Sequence, residues 1–306
     1  MNSHHQIKYL TQQQIDKVKW DACIHASANG LIYGQSFYLD AMAKNWDGLV
    51  LNDYEAVMPL VWNKKYGFSY LYQPAFSGSL GIFCPQLTEE TKEKFLLSIP
   101  ASFRYWDISL NHDNFFNSPH FIFRKRLNYT LELNKPYTTL YDRFSDNIKR
   151  NIKKAAQQGC TANKPAFNEV VKLAKLQSQQ AASVTEDNLT RFSKLYHSLE
   201  QKNAAVTYGI VAANGELLSS CIFFLWQNRA YYILAGNHAN SKATGASHAL
   251  INAFIKDYAA TNFILDFEGS DIPGLALFYS SFGSKEETYP AIKYNKLPLL
   301  IRWLKK

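Results

Sequence analysis

The chain has 306 residues, 47% hydrophobic, 15% aromatic and 19% charged, a composition that excludes a disordered, collagen-like or repeat protein and suffices for two ordinary cores. Its 33 Lys plus Arg against 25 Asp plus Glu give a net charge of +8, which favours an anionic partner such as a phosphate-bearing ligand, RNA or a lipid surface. No apolar run reaches the roughly 18 to 20 residues of a membrane span, and "MNSHHQIKYLTQQQ" lacks the basic-then-apolar pattern of a secretory signal, so a cytoplasmic protein is expected.

"LTQQQIDKVKWDACIHA" reads as an amphipathic helix carrying Ile15, Val18, Ala22 and Cys23, and "SFYLDAMAKNW" as a shorter one. "GLVLNDYEAVMPLVW" reads as a hairpin turning at Asn52-Asp53, and "GFSYLYQPAF" as a further strand. "QLTEETKEKFLLSI" opens at Thr88 with Glu90 in its first turn, like a capped helix, and "FRYWDISL" follows as a strand. After Pro136, "YTTLYDRFSDNIKRNIKKAAQQG" puts Leu140, Phe144, Ile148, Ile152 and Ala155 on one helical face and closes at Gly159. Lys149, Arg150, Lys153 and Lys154 cluster on the other side, either as a solvated face or as a surface that meets phosphates.

In the second half, "TEDNLTRFSKLYHSLEQKN" is a helix with a cap candidate at Thr185. Three strands follow, "AVTYGIVAA", "LLSSCIFFLWQ" and "AYYILAG", the first two joined at Asn214-Gly215, the strongest hairpin signal in the chain. "NHANSKATGASHALINAFIKDYAAT" reads as a polar loop feeding a helix with Leu250, Ile251, Phe254, Ile255 and Tyr258 toward a core. "NFILDFEGS" reads as a strand, "IPGLALFYSSFG" as a short helix and "YPAIKYN" as a last strand. Cys23, Cys84, Cys160 and Cys221 are widely spaced without a CxxC pair, so reduced thiols and no metal site are expected.

Several residues could carry chemistry. Lys242, Thr244, Gly245, Ala246 and Ser247 open a helix directly after a strand, where small residues let backbone N–H groups approach an anion, although small residues before a helix also make a simple turn. Asp266 and Glu268 alternate with Phe267, so on a strand they share a face; one could be a base, or both could be caps and ion-pair partners. Leu275, Phe278, Tyr279 and Phe282 fall at helical spacing and could simply be core. The tail "NKLPLLIRWLKK" could lie on an anionic membrane or pack back on the first domain.

The hairpin meander, glycine-bearing loop, helix, strand and helix with Tyr279 and Gly283 resemble the GNAT superfamily of N-acyltransferases. More specifically, "DNIKRNIKKAAQQG", "LDFEGS", "ALFYSSFGSKEETYP" and, in the first half, "YLYQPAF", "GIF" and "YWDISLN" resemble the FemABX-like peptidoglycan aminoacyltransferases, which carry two such domains in tandem. Lys242 and Ser247 depart from the GNAT loop pattern, whose first member is Arg or Gln and whose last is Gly or Ala.

The resemblance implies an α/β (α+β) fold of two tandem GNAT-like domains, about 1–137 and 138–306, each a mixed, mainly antiparallel twisted sheet flanked by helices. It implies transfer of an acyl or aminoacyl group from acyl-CoA or aminoacyl-tRNA to an amine of a cell-envelope precursor or related small molecule, with no metal. Tyr279 is then the candidate acid for the leaving group, and Glu268 or Asp266 the base. The Lys242–Ser247 loop would hold the donor, and Lys149, Arg150, Lys153 and Lys285 the phosphates of the acceptor in a cleft between the domains. tRNA and a peripheral contact with the inner membrane face are further expected partners. The competing reading is a catalytically degenerate GNAT-fold protein that binds a phosphorylated ligand or partner.

Overall fold

A computed structural model describes residues 6–178, 184–269, 271–298 and Arg302. His4, His5 and most of the C-terminal tail, including Leu299, Leu300, Ile301, Trp303, Leu304, Lys305 and Lys306, lie outside the described residues. In chain order the first elements are β1 (Ile7–Thr11), α1 (Lys17–Ala26), α2 (Ser36–Met42), β2 (Asn45–Leu51), β3 (Ala56–Lys65), β4 (Phe68–Tyr72), α3 (Glu89–Leu97), β5 (Phe103–Ser109) and β6 (Phe123–Glu132). Then come α4 (Tyr137–Asp142), α5 (Asp146–Gln157), β7 (Thr161–Asn163), α6 (Phe167–Ser178), α7 (Glu186–Glu200), β8 (Ala205–Val211), β9 (Leu217–Trp226) and β10 (Arg229–Asn237). The chain ends with α8 (Ser241–Thr244), α9 (Ala246–Tyr258), β11 (Ile264–Asp266), α10 (Pro273–Ser280) and β12 (Lys285–Asn295).

Two compact units form. One holds the residues up to Arg126 and those from Thr288 onward; the other spans Leu127–Glu287. In the first unit the strand order is β1-β2-β3-β4-β5-β12. Every neighbouring pair there is antiparallel except β4 and β5, which are parallel. In the second unit the order is β7-β8-β9-β10-β11-β6, antiparallel throughout except for parallel β10 and β11. Each unit is thus an antiparallel meander, one parallel strand and one antiparallel strand. That last strand comes from the opposite half of the sequence: β12 completes the first sheet, β6 the second. A single cut near residue 137 therefore does not reproduce the units, because strand pairing takes β6 and β12 across it.

Local chemistry accounts for the helices. Asp16 caps α1 by accepting from the N–H groups of Val18 and Lys19, and Thr88 caps α3. The buried face of α1 is Trp20, Cys23 and Ile24 at i, i+3 and i+4, while the expected core residue Val18 is 81% exposed. The large Trp20 ring packs on Trp46 and donates its N–H to the Gly34 carbonyl, which settles which side of the helix turns inward. The helix expected from Tyr137 to Gly159 is two, α4 and α5, because the Ser145 side chain accepts from Ile148 N–H and starts a new helix. Leu140, Phe144, Ile148 and Ala155 are all buried as their spacing requires. In α9, Leu250, Ile251, Phe254 and Ile255 are fully buried against β8 and β9, each contributing about 1.5 to 3 kcal/mol of apolar burial.

Candidate active site in the second unit

The site starts where two parallel strands part. β10 and β11 pair over only three residues, Arg229, Ala230 and Tyr231 opposite Ile264, Leu265 and Asp266. β10 runs on to Asn237 with a shift in register against β9 between Tyr232 and Leu234, whereas β11 stops at Asp266. Tyr232, Ile233, Leu234 and Ala235 are accordingly half-exposed in the midst of an otherwise buried sheet. An opening lined by β10 on one side results.

The end of β11 is enforced by hydrogen bonding. Asp266 is buried and both of its oxygens are engaged: Oδ2 pairs with Arg229 Nη1 at 2.6 Å, and Oδ1 accepts from Asn128 Nδ2 at 3.0 Å and from the N–H of Glu268 at 2.9 Å. Glu287 joins the same group, 3.6 Å from Arg229 Nη2 and 3.2 Å from Asn128 Nδ2. Burial alone would favour a neutral Arg229, but the charges of Asp266, Tyr231 and Glu287 more than offset this and raise its pKa. Past Asp266 the backbone turns left-handed at two successive residues, Glu268 (φ 64°) and Gly269 (φ 76°). Asp266 and Glu268 therefore do not share a strand face as their alternation suggested. Asp266 is the anchor of a turn, and Glu268 is the residue that the turn presents, half-buried beside Tyr279.

Tyr279 lies on α10, 7% exposed, with its ring stacked on Phe267 at 4.7 Å and edge-on to Tyr232 at 6.4 Å. Burial first, and then the carboxylate of Glu268, push its pKa up to about 12. It is a neutral hydrogen-bond donor at any physiological pH. Tyr232 brings the β10 side of the opening to Tyr279, so the strand edge, the carboxylate and the phenol are one neighbourhood.

The loop expected from the sequence to hold the donor, Lys242 to Ser247, follows β10 directly. The side-chain oxygen of Asn237 accepts from Ser219 and Ser241 hydroxyls at 2.7 and 3.2 Å, tying the start of α8 to the sheet. Gly245 separates α8 from α9 at φ 77°, and a Cβ there would lie 2.4 Å from the Asn151 carbonyl oxygen. Only glycine meets both conditions. Ala246 and Ser247 are the first residues of α9, so their N–H groups have no acceptor within the helix and sit at its positive end. The Thr244 hydroxyl is turned to the Asn240 and Ser241 carbonyls, and Lys242 is exposed.

Because Asn151 belongs to α5, the close approach at Gly245 lays the basic helix against the Lys242–Ser247 loop. Arg150 and Lys153 are exposed on that helix, and half-buried Lys149 donates to the Asp142 carbonyl at 3.0 Å. Lys285 is not part of this group; on β12 it pairs with Glu132 at 2.9 Å. Sequence reasoning missed Arg229, Asn128, Gln177 and His248. His248, in the first turn of α9, packs edge-on to Phe278 at 5.1 Å; its Nδ1 is buried without a partner among the described residues, and burial lowers its pKa. Its place three residues after the loop glycine was the available signal. Arg229 was legible only as a charge opening an apolar strand.

Residues 142–271 match the family model described as an acetyltransferase (GNAT) domain. The match covers most of the second unit. Solved structures extend the likeness over both units as a likeness of fold. FemX is 12% identical over 98% of this chain and 100% of its own, with a TM-score of 0.66. A tandem GNAT protein from the clavulanic acid biosynthesis pathway is 9% identical over 96% and 100%, with a TM-score of 0.50. L-PGS from Bacillus licheniformis is 11% identical over 94% and 95%, also at 0.50. No curated protein matches the sequence. The chain has a FemX-like GNAT fold. A groove of about 540 Å³ bordered by Leu51, Cys84 and Thr88 lies in the first unit and contains none of the sequence-predicted residues. Among the described residues no cluster of His, Cys, Asp or Glu could hold a metal, and no helix is long and apolar enough to cross a membrane.

Proposed function

We propose that the protein is an N-acyltransferase that takes an acyl or aminoacyl group from acyl-CoA or aminoacyl-tRNA and passes it to an amine on a phosphate-bearing acceptor, a cell-envelope precursor or an amino-sugar nucleotide. The observation that carries this reading is the parting of β10 from β11 with Glu268 and Tyr279 at one side and the Gly245 loop at the end of β10. Donor phosphates meet the N-terminus of α9 and the cations of α5, both of which favour anions. The donor carbonyl is presented along the uncovered edge of β10.

Acyl transfer requires the amine to lose a proton and the leaving group to gain one. Glu268 is the base, directly or through one water, since Asp266 has both oxygens committed to Arg229, Asn128 and the backbone. Tyr279 is the donor to the departing thiolate or oxyanion: with its pKa raised to about 12 the phenol stays neutral and stabilises the developing charge by a hydrogen bond, while full proton transfer is favourable only to a leaving group more basic than itself, such as an alkoxide. FemX supports an envelope acceptor only through the likeness of fold. Lys285, tied to Glu132, serves the acceptor only after exchanging that exposed partner, which costs little. Calorimetric titration with acetyl-CoA and with charged tRNA tests the reading: saturable binding of one of them is expected, and no binding of either overturns it.

A non-catalytic binder with the same fold is favoured by one feature, the Lys242 and Ser247 departures in the donor loop. It requires Tyr279→Phe to leave every measurable function intact.

A further inference from the structure

Among the described residues no strand pairs with β10 beyond Tyr231 on the β11 side, yet that edge is not uniformly open. The N–H of His238, the residue after β10, donates to Leu218 O at 2.8 Å, on the β9 side. Peptide groups alternate along a strand, so Gly236 and Leu234 also face β9, and Ala235 and Asn237 face the other way. There β11 has already ended, its pairing stopping at Tyr231 opposite Asp266. Ala235 and Asn237 thus offer peptide groups two residues apart to whatever extended chain enters the opening.

One of those groups is occupied. The Asn237 N–H donates to Gln177 Oε1 at 2.8 Å, and Asn237 Nδ2 approaches the same oxygen at 3.4 Å. Gln177 sits in the last turn of α6, and α6 reaches so far because residue 236 is glycine: a Cβ there would be 2.4 Å from the Ala174 nitrogen. Leu173 and Ala174 are buried in that contact, while Gln177 itself is exposed, so the helix is held and the side chain can swing away.

We propose that Gln177 is a donor-specificity residue: its carboxamide stands in for an amide of the donor on the Asn237 N–H and must be displaced when an amide-bearing donor arm binds. The inference rests on the acyltransferase reading and deepens it. Acyl-CoA carries two secondary amides in its pantetheine arm, which are chemically equivalent to a glutamine carboxamide as acceptors; the 3′ end of an aminoacyl-tRNA has no such arm. Gln177 therefore taxes the first donor class and leaves the second alone.

The test is calorimetric titration of the full chain with acetyl-CoA and with 3′,5′-ADP, which has the nucleotide but no arm. Gln177→Ala removes one intramolecular hydrogen bond and is expected to tighten acetyl-CoA about two- to tenfold, with no change for 3′,5′-ADP. Gln177→Glu, a charged and stronger acceptor, is expected to weaken acetyl-CoA. Amide hydrogen exchange at Asn237, read by NMR without ligand, is expected to quicken in Gln177→Ala. Unchanged or weaker acetyl-CoA binding in Gln177→Ala, an equal change for 3′,5′-ADP, or unaltered exchange at Asn237 would overturn the proposal. Equal acetyl-CoA affinity in wild type and Gln177→Ala overturns the gate alone, whereas no acetyl-CoA binding by either overturns both the gate and the CoA-donor reading.

Discussion

At Tyr279 the ring and the hydroxyl have separable duties. The ring stacks on Phe267 and belongs to the core, and in the proposed reaction the hydroxyl alone acts on the leaving group. Tyr279→Phe keeps the stacking, so its unfolding midpoint is expected within a degree or two of wild type while turnover falls at least about 10²-fold. Thermal unfolding and steady-state rates compare the two. His248 offers a pH test. Its folded pKa lies below the ordinary value of about 6.5, so the unfolded chain binds the proton first. The stability it contributes is complete above about pH 6.5 and is lost as pH falls toward the folded pKa. His248→Gln is expected to flatten the fall in melting temperature between pH 7.5 and 5.5; an unchanged slope would assign that fall to other groups. Residue types at these positions were legible in the sequence, and roles less so. Asp266 and Glu268 look equivalent as letters two apart, and Arg229, 37 positions upstream, with Asn128 distinguishes the anchor from the proposed base.

Elements explain why the site is where it is. β11 is short because Asp266 is consumed by Arg229 and Asn128, and the gap exists because β10 is long. Asp266→Asn leaves Arg229 largely buried with Glu287 at 3.6 Å and the charge of Glu268 to answer it, and a loss of about 3 kcal/mol in urea-unfolding free energy is expected, the lower end for a broken buried pair. At the donor loop, Gly245→Ala forces a left-handed alanine, worth about 1 to 2 kcal/mol, into the Asn151 carbonyl. It is expected to lower the melting temperature and weaken the donor together, and a variant that did only the first would separate the loop from binding. Periodicity revealed β8, β9, β10 and α9, whose apolar faces are strong. It did not reveal β6 or α6. In "FRKRLNYTLE" three consecutive cations, Arg124, Lys125 and Arg126, break the alternation of a strand whose partner β11 is far away in sequence. In "FNEVVKLAKLQS" the apolar stripe is mixed with lysines and lacks a cap signal. The break at Ser145 was legible as a Ser-Asp start but was outweighed by a continuous apolar face from Leu140 to Ala155.

For the whole molecule, the repeated order of elements is visible to a linear reading, whereas the origin of each sheet's last strand is not. The first unit takes its last strand, β12, from the far end of the chain, and the second begins with β6, ahead of residue 137, so a cut there removes one strand from each sheet. Severing the chain near residue 137 is expected to leave both halves unfolded when expressed separately, as circular dichroism would report. The net charge of +8 fits an acceptor or donor rich in phosphate, and its contribution is expected to fade as salt rises through the physiological range. The most direct measurement is label transfer. Radiolabelled acetyl-CoA and aminoacyl-tRNA are each offered with an amino-sugar nucleotide to wild type and to Tyr279→Phe. Transfer of label to the amine by wild type, reduced about 10²-fold in the variant at equal donor affinity, is expected; no transfer by wild type, or equal transfer by both proteins, would contradict an acyltransferase built on Tyr279.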